Sequence, residues 1–321
     1  MNQKDVIAVT SRSFSKNISL VNELNKLYSQ VFLNETGRTL KDDELINFLK
    51  IASKAIVGIE DMSANTLAQL PNLKVISKYG VGLNNIDLKF CKSSGIRLGF
   101  MPGVNKQSVA ELSLTLILIG LKKIHQNHTQ ILGGEWPQNK GLELSKKTVG
   151  ILGFGNIGQA LAKILMGFDC KINFFDVRKF THNELSEICS NQSLQKDLIT
   201  QMNLDNVLSK SDIISIHLPL TSDTQDIIDL SALEKLKSHS VIVNTARGGI
   251  VNEIDLKTFL STHPNVFAAF DVFKEEPVKD HSLFNLPNFF GTSHRSSLTF
   301  EGINSMGLAA IKGLDDNIEI K

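Results

Sequence analysis

VGILGFGNIGQALAKIL, residues 149–165, decides the fold, because two patterns of different period meet in it. Thr148 to Leu152 is a short apolar run behind Lys146 and Lys147, as expected of a parallel strand buried on both faces. From Gln159 to Leu165 the apolar residues recur at helical spacing. Between them lie Gly153, Phe154, Gly155, Asn156, Ile157 and Gly158. The first glycine permits a tight turn, the second lets backbone approach a pyrophosphate, and the third lets helix pack on strand. Asn156 and Ile157 open the helix, where free N–H groups and the positive dipole end favour phosphate. A glycine-rich strand–helix turn with no ligand would show the same letters, so the motif needs company.

Lys171 to Phe175 reads as the next strand and ends in Asp176, eighteen positions beyond Gly158. An acid there can accept hydrogen bonds from both ribose hydroxyls of an adenosine and repels a 2′-phosphate. The expected cofactor is therefore NAD rather than NADP, with Arg178 as a nearby cation that could soften the repulsion. The ordinary alternative for Asp176 is a turn acid at a strand end. Further along come NTARGG (244–249), DVFKEEP (271–277) and TSHRSS (292–297), which bring an Arg, a Glu before a Pro, and a His in that order.

With these motifs the chain resembles the D-isomer-specific 2-hydroxyacid dehydrogenases, the family of phosphoglycerate dehydrogenase and glyoxylate/hydroxypyruvate reductase. The likeness spans nearly the whole chain. KVISKYGVGLNNIDL (74–88) resembles the family's substrate-carboxylate loop, and NKQSVAELSLTLIL (105–118) its helix crossing between domains. HLPLTSDTQDII (217–228) and VIVNTARGGIVNE (241–253) resemble later cofactor-domain signatures, and EGINSMGLAAIKGLD (301–315) the returning C-terminal helix.

The resemblance implies an NAD-dependent oxidoreductase that interconverts a 2-keto acid and a D-2-hydroxy acid. It implies that Arg247 binds the substrate carboxylate and polarises the keto oxygen, a task suited to a planar guanidinium fork. His294 would be the general acid of reduction and general base of oxidation, since a free imidazole titrates near about 6.5. Glu276, directly before the Pro, would accept from the other ring nitrogen and favour imidazolium. Backbone N–H groups around Val81 and Gly82 would hold the other side of the carboxylate. Thr245, Ala246 and Asp271 would line the nicotinamide side. Taken singly, Arg247 could be a surface arginine, Glu276 a solvated loop acid and His294 an ordinary loop histidine. Their joint occurrence in family order argues against that.

The implied fold class is α/β, with a Rossmann-type cofactor domain, a smaller flavodoxin-like substrate domain and a cleft between them. At 321 residues the chain exceeds the usual size of a single core, so two domains are expected. Apolar residues at 42 % describe an ordinary globular protein, and a net charge of +1 gives no reason to invoke nucleic acid. Cys91, Cys170 and Cys189 form no CxxC pair and suggest free thiols in a reducing cytoplasm. MNQKDVIAVT has no signal-peptide core, and Leu112 to Leu121 is too short to span a bilayer, which makes it a buried helix. His125 and His128 share a helix face without a third ligand, so no metal is expected.

Strand-like runs at 5–10, 30–34, 54–59, 74–77 and 96–100 alternate with helical stretches at 19–28 and 42–50, a small open α/β domain. Met101-Pro102-Gly103 is a breaker and the expected hinge. Residues 1–101 and 296–321 are thus the expected substrate domain and 102–295 the NAD domain. The polar segment 181–200 reads as a surface excursion. The family also implies a homodimer built partly on the helix Ser108 to Ile119, although that run could be domain core alone.

Four features depart from the family's pattern. Asn84 stands where the substrate loop usually has Asp. Ser293 replaces a Pro, Arg295 replaces a small or aliphatic residue, and the loop 58–63 carries Glu60 and Asp61 without a cation. That loop gives no support for a phosphorylated substrate. Arg295 would favour a second anionic group on the substrate if its side chain faces the site, and would do nothing of the kind if it points to solvent. A rival of another class is an NAD(H)-sensing binding protein of the same fold without turnover.

Overall fold

Strands buried on both faces must be apolar nearly throughout, and runs such as Ile213–Ile216, Val241–Asn244 and Phe267–Phe270 meet that demand. The structure, a computed structural model, describes residues 2–188 and 198–320. They divide into two compact units, Met1–Asn105 with Thr299–Lys321, and Lys106–Leu298.

The first unit holds β1 (Asn2–Val9), β2 (Tyr28–Leu33), β3 (Lys54–Val57), β4 (Val75–Lys78) and β5 (Arg97–Gly99). All pairs are parallel, in the order β2-β1-β3-β4-β5, the flavodoxin-like arrangement. Alternate residues feed opposite faces, as the two-residue period of a strand demands. Ala8, Ala55, Val57 and Ile76 enter one apolar cluster, while Ile7, Val9 and Ile56 enter the other. The C-terminal helix Phe300–Gly313 packs on this unit. Its Gly313 lies so close to Gly99 that a Cβ on Gly99 would sit 2.2 Å from the Gly313 carbonyl oxygen.

The second unit holds β6 (Thr148–Leu152), β7 (Lys171–Phe175), β8 (Ile199–Gln201), β9 (Ile213–Ile216), β10 (Val241–Asn244), β11 (Phe267–Phe270) and β12 (Phe289–Gly291). The sheet is parallel throughout, in the order β12-β11-β10-β9-β6-β7-β8. Strand order reverses at β6, whose neighbours are β7 and β9. Ligands of open α/β sheets bind beyond the strand C-termini at such a switch point. The helix Lys106–Leu121 is buried through Val109, Ser113, Leu116 and Ile117 and packs on β10 and β11, so much of its apolar run is domain core.

The segment 181–200 begins as a short helix, His182–Ile188, whose first turn Glu184 closes by accepting from the Thr181 N–H at 2.8 Å. Residues 189–197, and with them Cys189, lie outside the described residues. Among the described residues no helix is long and apolar enough to cross a membrane.

Candidate active site

Every candidate residue of the second unit lies at or just beyond the C-terminal end of a strand. After β6, Gly153 adopts φ +93°, and a Cβ there would lie 2.6 Å from the His217 carbonyl oxygen. A Cβ on Gly158 would meet the Gly153 carbonyl oxygen at 2.3 Å, which is why helix and turn can close together. Gly155 differs from both: a Cβ there would meet nothing within 4 Å. Space is kept open above that glycine, and the helix Asn156–Met166 that starts beside it has no side-chain cap. An open cradle facing uncapped N–H groups is what a pyrophosphate needs. The residues present therefore fit a dinucleotide.

Asp176 follows β7. Its Oδ2 accepts from the Phe154 N–H at 2.7 Å and its Oδ1 from the Arg178 N–H at 2.9 Å, which ties the acid to the glycine-rich turn. The Arg178 guanidinium is engaged elsewhere, paired with Glu184 and stacked over Phe180 at 4.5 Å. Its charge is balanced rather than offered to a 2′-phosphate.

Asn244 ends β10 and folds the next turn on its own side chain. It accepts from the Ala246 N–H at 3.0 Å and donates to the Arg247 carbonyl at 3.0 Å. Thr245 is buried, and its hydroxyl bonds that of Ser113 at 2.8 Å. Ala246 is also buried, so these two expected cofactor residues turn their side chains into the core and have only backbone to present. Burial lowers the pKa of Arg247, with the Glu276 charge opposing that shift. Gly248 lies against the next loop: a Cβ on it would fall 1.9 Å from the Phe273 carbonyl carbon. That close approach brings the Arg247 turn beside the loop carrying Glu276.

His294 and Glu276 meet directly, Nδ1 to Oε2 at 2.6 Å. The other carboxylate oxygen of Glu276 accepts from the Phe273 N–H at 2.9 Å. The bond to Glu276 raises the His294 pKa above its ordinary value, against burial and the Arg247 charge. Burial pushes Glu276 upward, but its bonds to His294 and Phe273 and the charges of His294 and Arg247 outweigh it, and its pKa falls. Imidazolium and carboxylate stabilise one another. The ring is about half exposed, so Nε2 can face a ligand.

Asp271 is the anchor of this loop. It is fully buried, and its Oδ1 accepts from the Thr292 hydroxyl at 2.5 Å and the Arg295 N–H at 2.8 Å. Oδ2 accepts from the Ser296 N–H at 2.9 Å, and the Asp271 carbonyl accepts from the His294 N–H at 2.8 Å. These four bonds hold His294 at φ +50°, a conformation uncommon for a residue with a Cβ. The Arg295 side chain is exposed while its backbone serves this anchor.

Two contributors escaped the sequence reading. Glu253 accepts from the Lys274 N–H at 2.7 Å and steadies the Glu276 loop, while burial raises its pKa. His217, after β9, bonds Ser215 at 2.9 Å through Nε2, and its Nδ1 has no hydrogen-bond partner among the described residues. Burial lowers its pKa to about 3, so it is neutral. HLPLT carried that histidine in plain view, but no local pattern marked its Nδ1 as buried.

Val81 and Gly82 belong to the first unit, in the loop that follows β4, and are partly buried.

Residues 114–296 match the family described as D-isomer specific 2-hydroxyacid dehydrogenase, NAD binding domain. The chain belongs to the D-isomer specific 2-hydroxyacid dehydrogenases. It is similar to a hydroxypyruvate reductase of Thermotoga maritima, 33 % identical over 301 residues that cover 90 % of this chain and 94 % of the relative. It is 36 % identical to a glyoxylate reductase of Thermofilum pendens over 280 residues, 85 % of this chain and 80 % of the relative. Among solved structures, an NAD-dependent formate dehydrogenase from Staphylococcus aureus in complex with NAD superposes with a TM-score of 0.77. It is 27 % identical, covering 97 % of this chain and 94 % of the other. The protein is an NAD-dependent oxidoreductase acting on 2-hydroxy and 2-keto acids.

Proposed function

We propose that this dehydrogenase reduces small, unphosphorylated 2-keto acids with NADH, using His294, Glu276 and Arg247. The contact that carries the reading is the 2.6 Å bond between His294 Nδ1 and Glu276, which leaves Nε2 as the proton-transferring atom. NAD supplies the hydride carrier when bound. Gly155, Asn156 and Ile157 would hold its pyrophosphate by backbone, Asp176 would take the adenosine ribose, and the backbone of Thr245 and Ala246 would border the nicotinamide, while the buried Asp271 holds the His294 loop in place.

Arg247 binds the substrate carboxylate and draws charge onto the keto oxygen. His294, kept protonated by Glu276, delivers its Nε2 proton to that oxygen as the alkoxide forms, and takes it back in oxidation. Val81 and Gly82 offer N–H groups to the carboxylate. The unit Lys106–Leu298 serves as the NAD domain and the remainder as the substrate domain. Small unphosphorylated substrates are favoured by the exposed Asp61 in the loop 58–63, and relatives named for glyoxylate and hydroxypyruvate are consistent with this.

The enzyme is placed in the cytoplasm, in keeping with the free thiols of Cys91 and Cys170. It acts as a homodimer. The helix Ile124–Leu132 has no buried residue, and Ile124, Leu132 and Trp136 expose 52 %, 75 % and 80 % of their surface, apolar side chains that a partner subunit would cover.

The test is a spectrophotometric screen of glyoxylate, hydroxypyruvate, pyruvate and phosphohydroxypyruvate with NADH and NADPH. Expected is turnover of the unphosphorylated acids, with NADH preferred by roughly 10- to 100-fold, the scale of one mispaired charge contact. Binding of NADH without turnover of any of them would instead favour a sensing protein. A preference for phosphohydroxypyruvate would reassign the substrate and bring Arg295 into the site.

A further inference from the structure

The substrate-carboxylate loop, residues 79–84, leaves β4 and returns to the fold where Met62 and Ile86 form an isolated parallel bridge. Tyr79 is the last residue bonded on the way out, its N–H donating to the Val57 carbonyl at 2.9 Å. Among the described residues no acceptor meets the N–H groups of Gly80, Val81, Gly82 or Leu83. Successive unpaired amides of this kind form an anion-binding concavity. A loop with so few bonds of its own must be fixed from its ends.

The ends are joined by two side chains. Lys78 precedes the loop and is buried; its Nζ donates to Asn85 Oδ1 at 2.7 Å and to the Gly58 carbonyl. Asn85 follows the loop and donates through Nδ2 to the Glu60 carbonyl at 2.6 Å and the Gly58 carbonyl at 3.2 Å. The strand end they grip is itself braced. Glu60, also buried, accepts through Oε2 from the Gly58 N–H at 2.9 Å and the Thr10 hydroxyl at 2.7 Å. The Lys78 stem also supports the loop from below: a Cβ on Gly80, which has φ +129°, would lie 3.6 Å from Lys78 Cε.

We infer that Lys78 and Asn85 are positioning residues that close the neck of this loop and hold its free amides in register for a carboxylate. Lys78 does so with a charge that also favours an anion in the concavity above it. The cation missing from loop 58–63 in the sequence thus comes from β4, and it is spent on the loop's frame rather than on a substrate phosphate. The inference rests on the reading that Val81 and Gly82 bind substrate.

Asn85→Ala, Lys78→Met and Val81→Pro, the last removing one loop donor, are compared with the parent enzyme on glyoxylate or hydroxypyruvate, whichever turns over faster. Circular dichroism and NADH affinity are measured for each. Asn85→Ala and Lys78→Met are expected to raise KM for the keto acid about tenfold, the scale of one charge-assisted hydrogen bond, with a smaller change in kcat and an unchanged Kd for NADH. A merely structural role would lower the Tm and leave KM in place, which would overturn the inference. An effect of Val81→Pro alone would keep the loop as the carboxylate site and remove the clamp. No KM change in any of the three would remove the loop reading itself.

Discussion

His294 concentrates the chemistry at the scale of single residues. A half-exposed imidazole keeps its proton to higher pH when a carboxylate holds it, and Glu276 does this from 2.6 Å away. The sign of the pH dependence follows. The folded enzyme holds the His294 pKa above its free value, so the protonated, reduction-competent form persists to higher pH than it would alone. In Glu276→Gln the carboxylate charge is gone and the pKa falls back. The basic limb of kcat/KM for keto-acid reduction should move to lower pH, measured as a rate profile from pH 5 to 9. An unmoved limb would mean that another group titrates. Asp271 teaches a different lesson. DVF marked it as a site residue, yet both its oxygens are taken up by the residues around His294. The sequence indicated that the residue mattered, but the atoms it touches lie more than twenty positions away and left no local trace.

Among the elements, the close contact of two loops decides whether Arg247 and Glu276 share a site. Gly248 permits it, since any Cβ would penetrate the backbone of Phe273 and Lys274. Gly248→Ala should force the loops apart, destabilise the fold by about 1–3 kcal/mol as overpacking does, and reduce kcat/KM. Thermal unfolding and steady-state kinetics check this; a variant with parent Tm and activity would show that the loops yield freely. The elements themselves were legible. Parallel strands covered on both faces have to read as continuous apolar runs, so Thr148–Leu152 and Lys171–Phe175 stand in the structure where the residues placed them. The glycine turn was legible too, because each glycine answers to a backbone demand. What the chain could not display is a pairing across distance: Thr245 turning its hydroxyl to Ser113, 132 positions earlier, or Lys78 closing on Asn85 and Gly58. The apolar run 112–121 was ambiguous for the same reason, since core and interface use the same side chains. Its buried face proves to be domain core, and the exposed apolar residues come after it.

For the whole molecule, those exposed residues carry the prediction of assembly. Trp136 and Leu132 each leave most of an apolar side chain in water, and a dimer that covers them should be stable at low concentration. Sedimentation of the parent protein should give a dimer and Trp136→Asp a larger share of monomer; a parent that sediments as a monomer refutes the assembly. Two parallel sheets of different strand order, one ending in a dinucleotide cradle and a His–Glu pair, make the molecule a dehydrogenase. The most direct test is NADH oxidation with the best 2-keto acid, followed at 340 nm for the parent and His294→Ala, with NADH affinity measured in parallel. The account predicts that kcat falls roughly 10²- to 10⁴-fold, the range for losing a general acid, while the Kd for NADH stays put. Near-parent turnover by His294→Ala would contradict it.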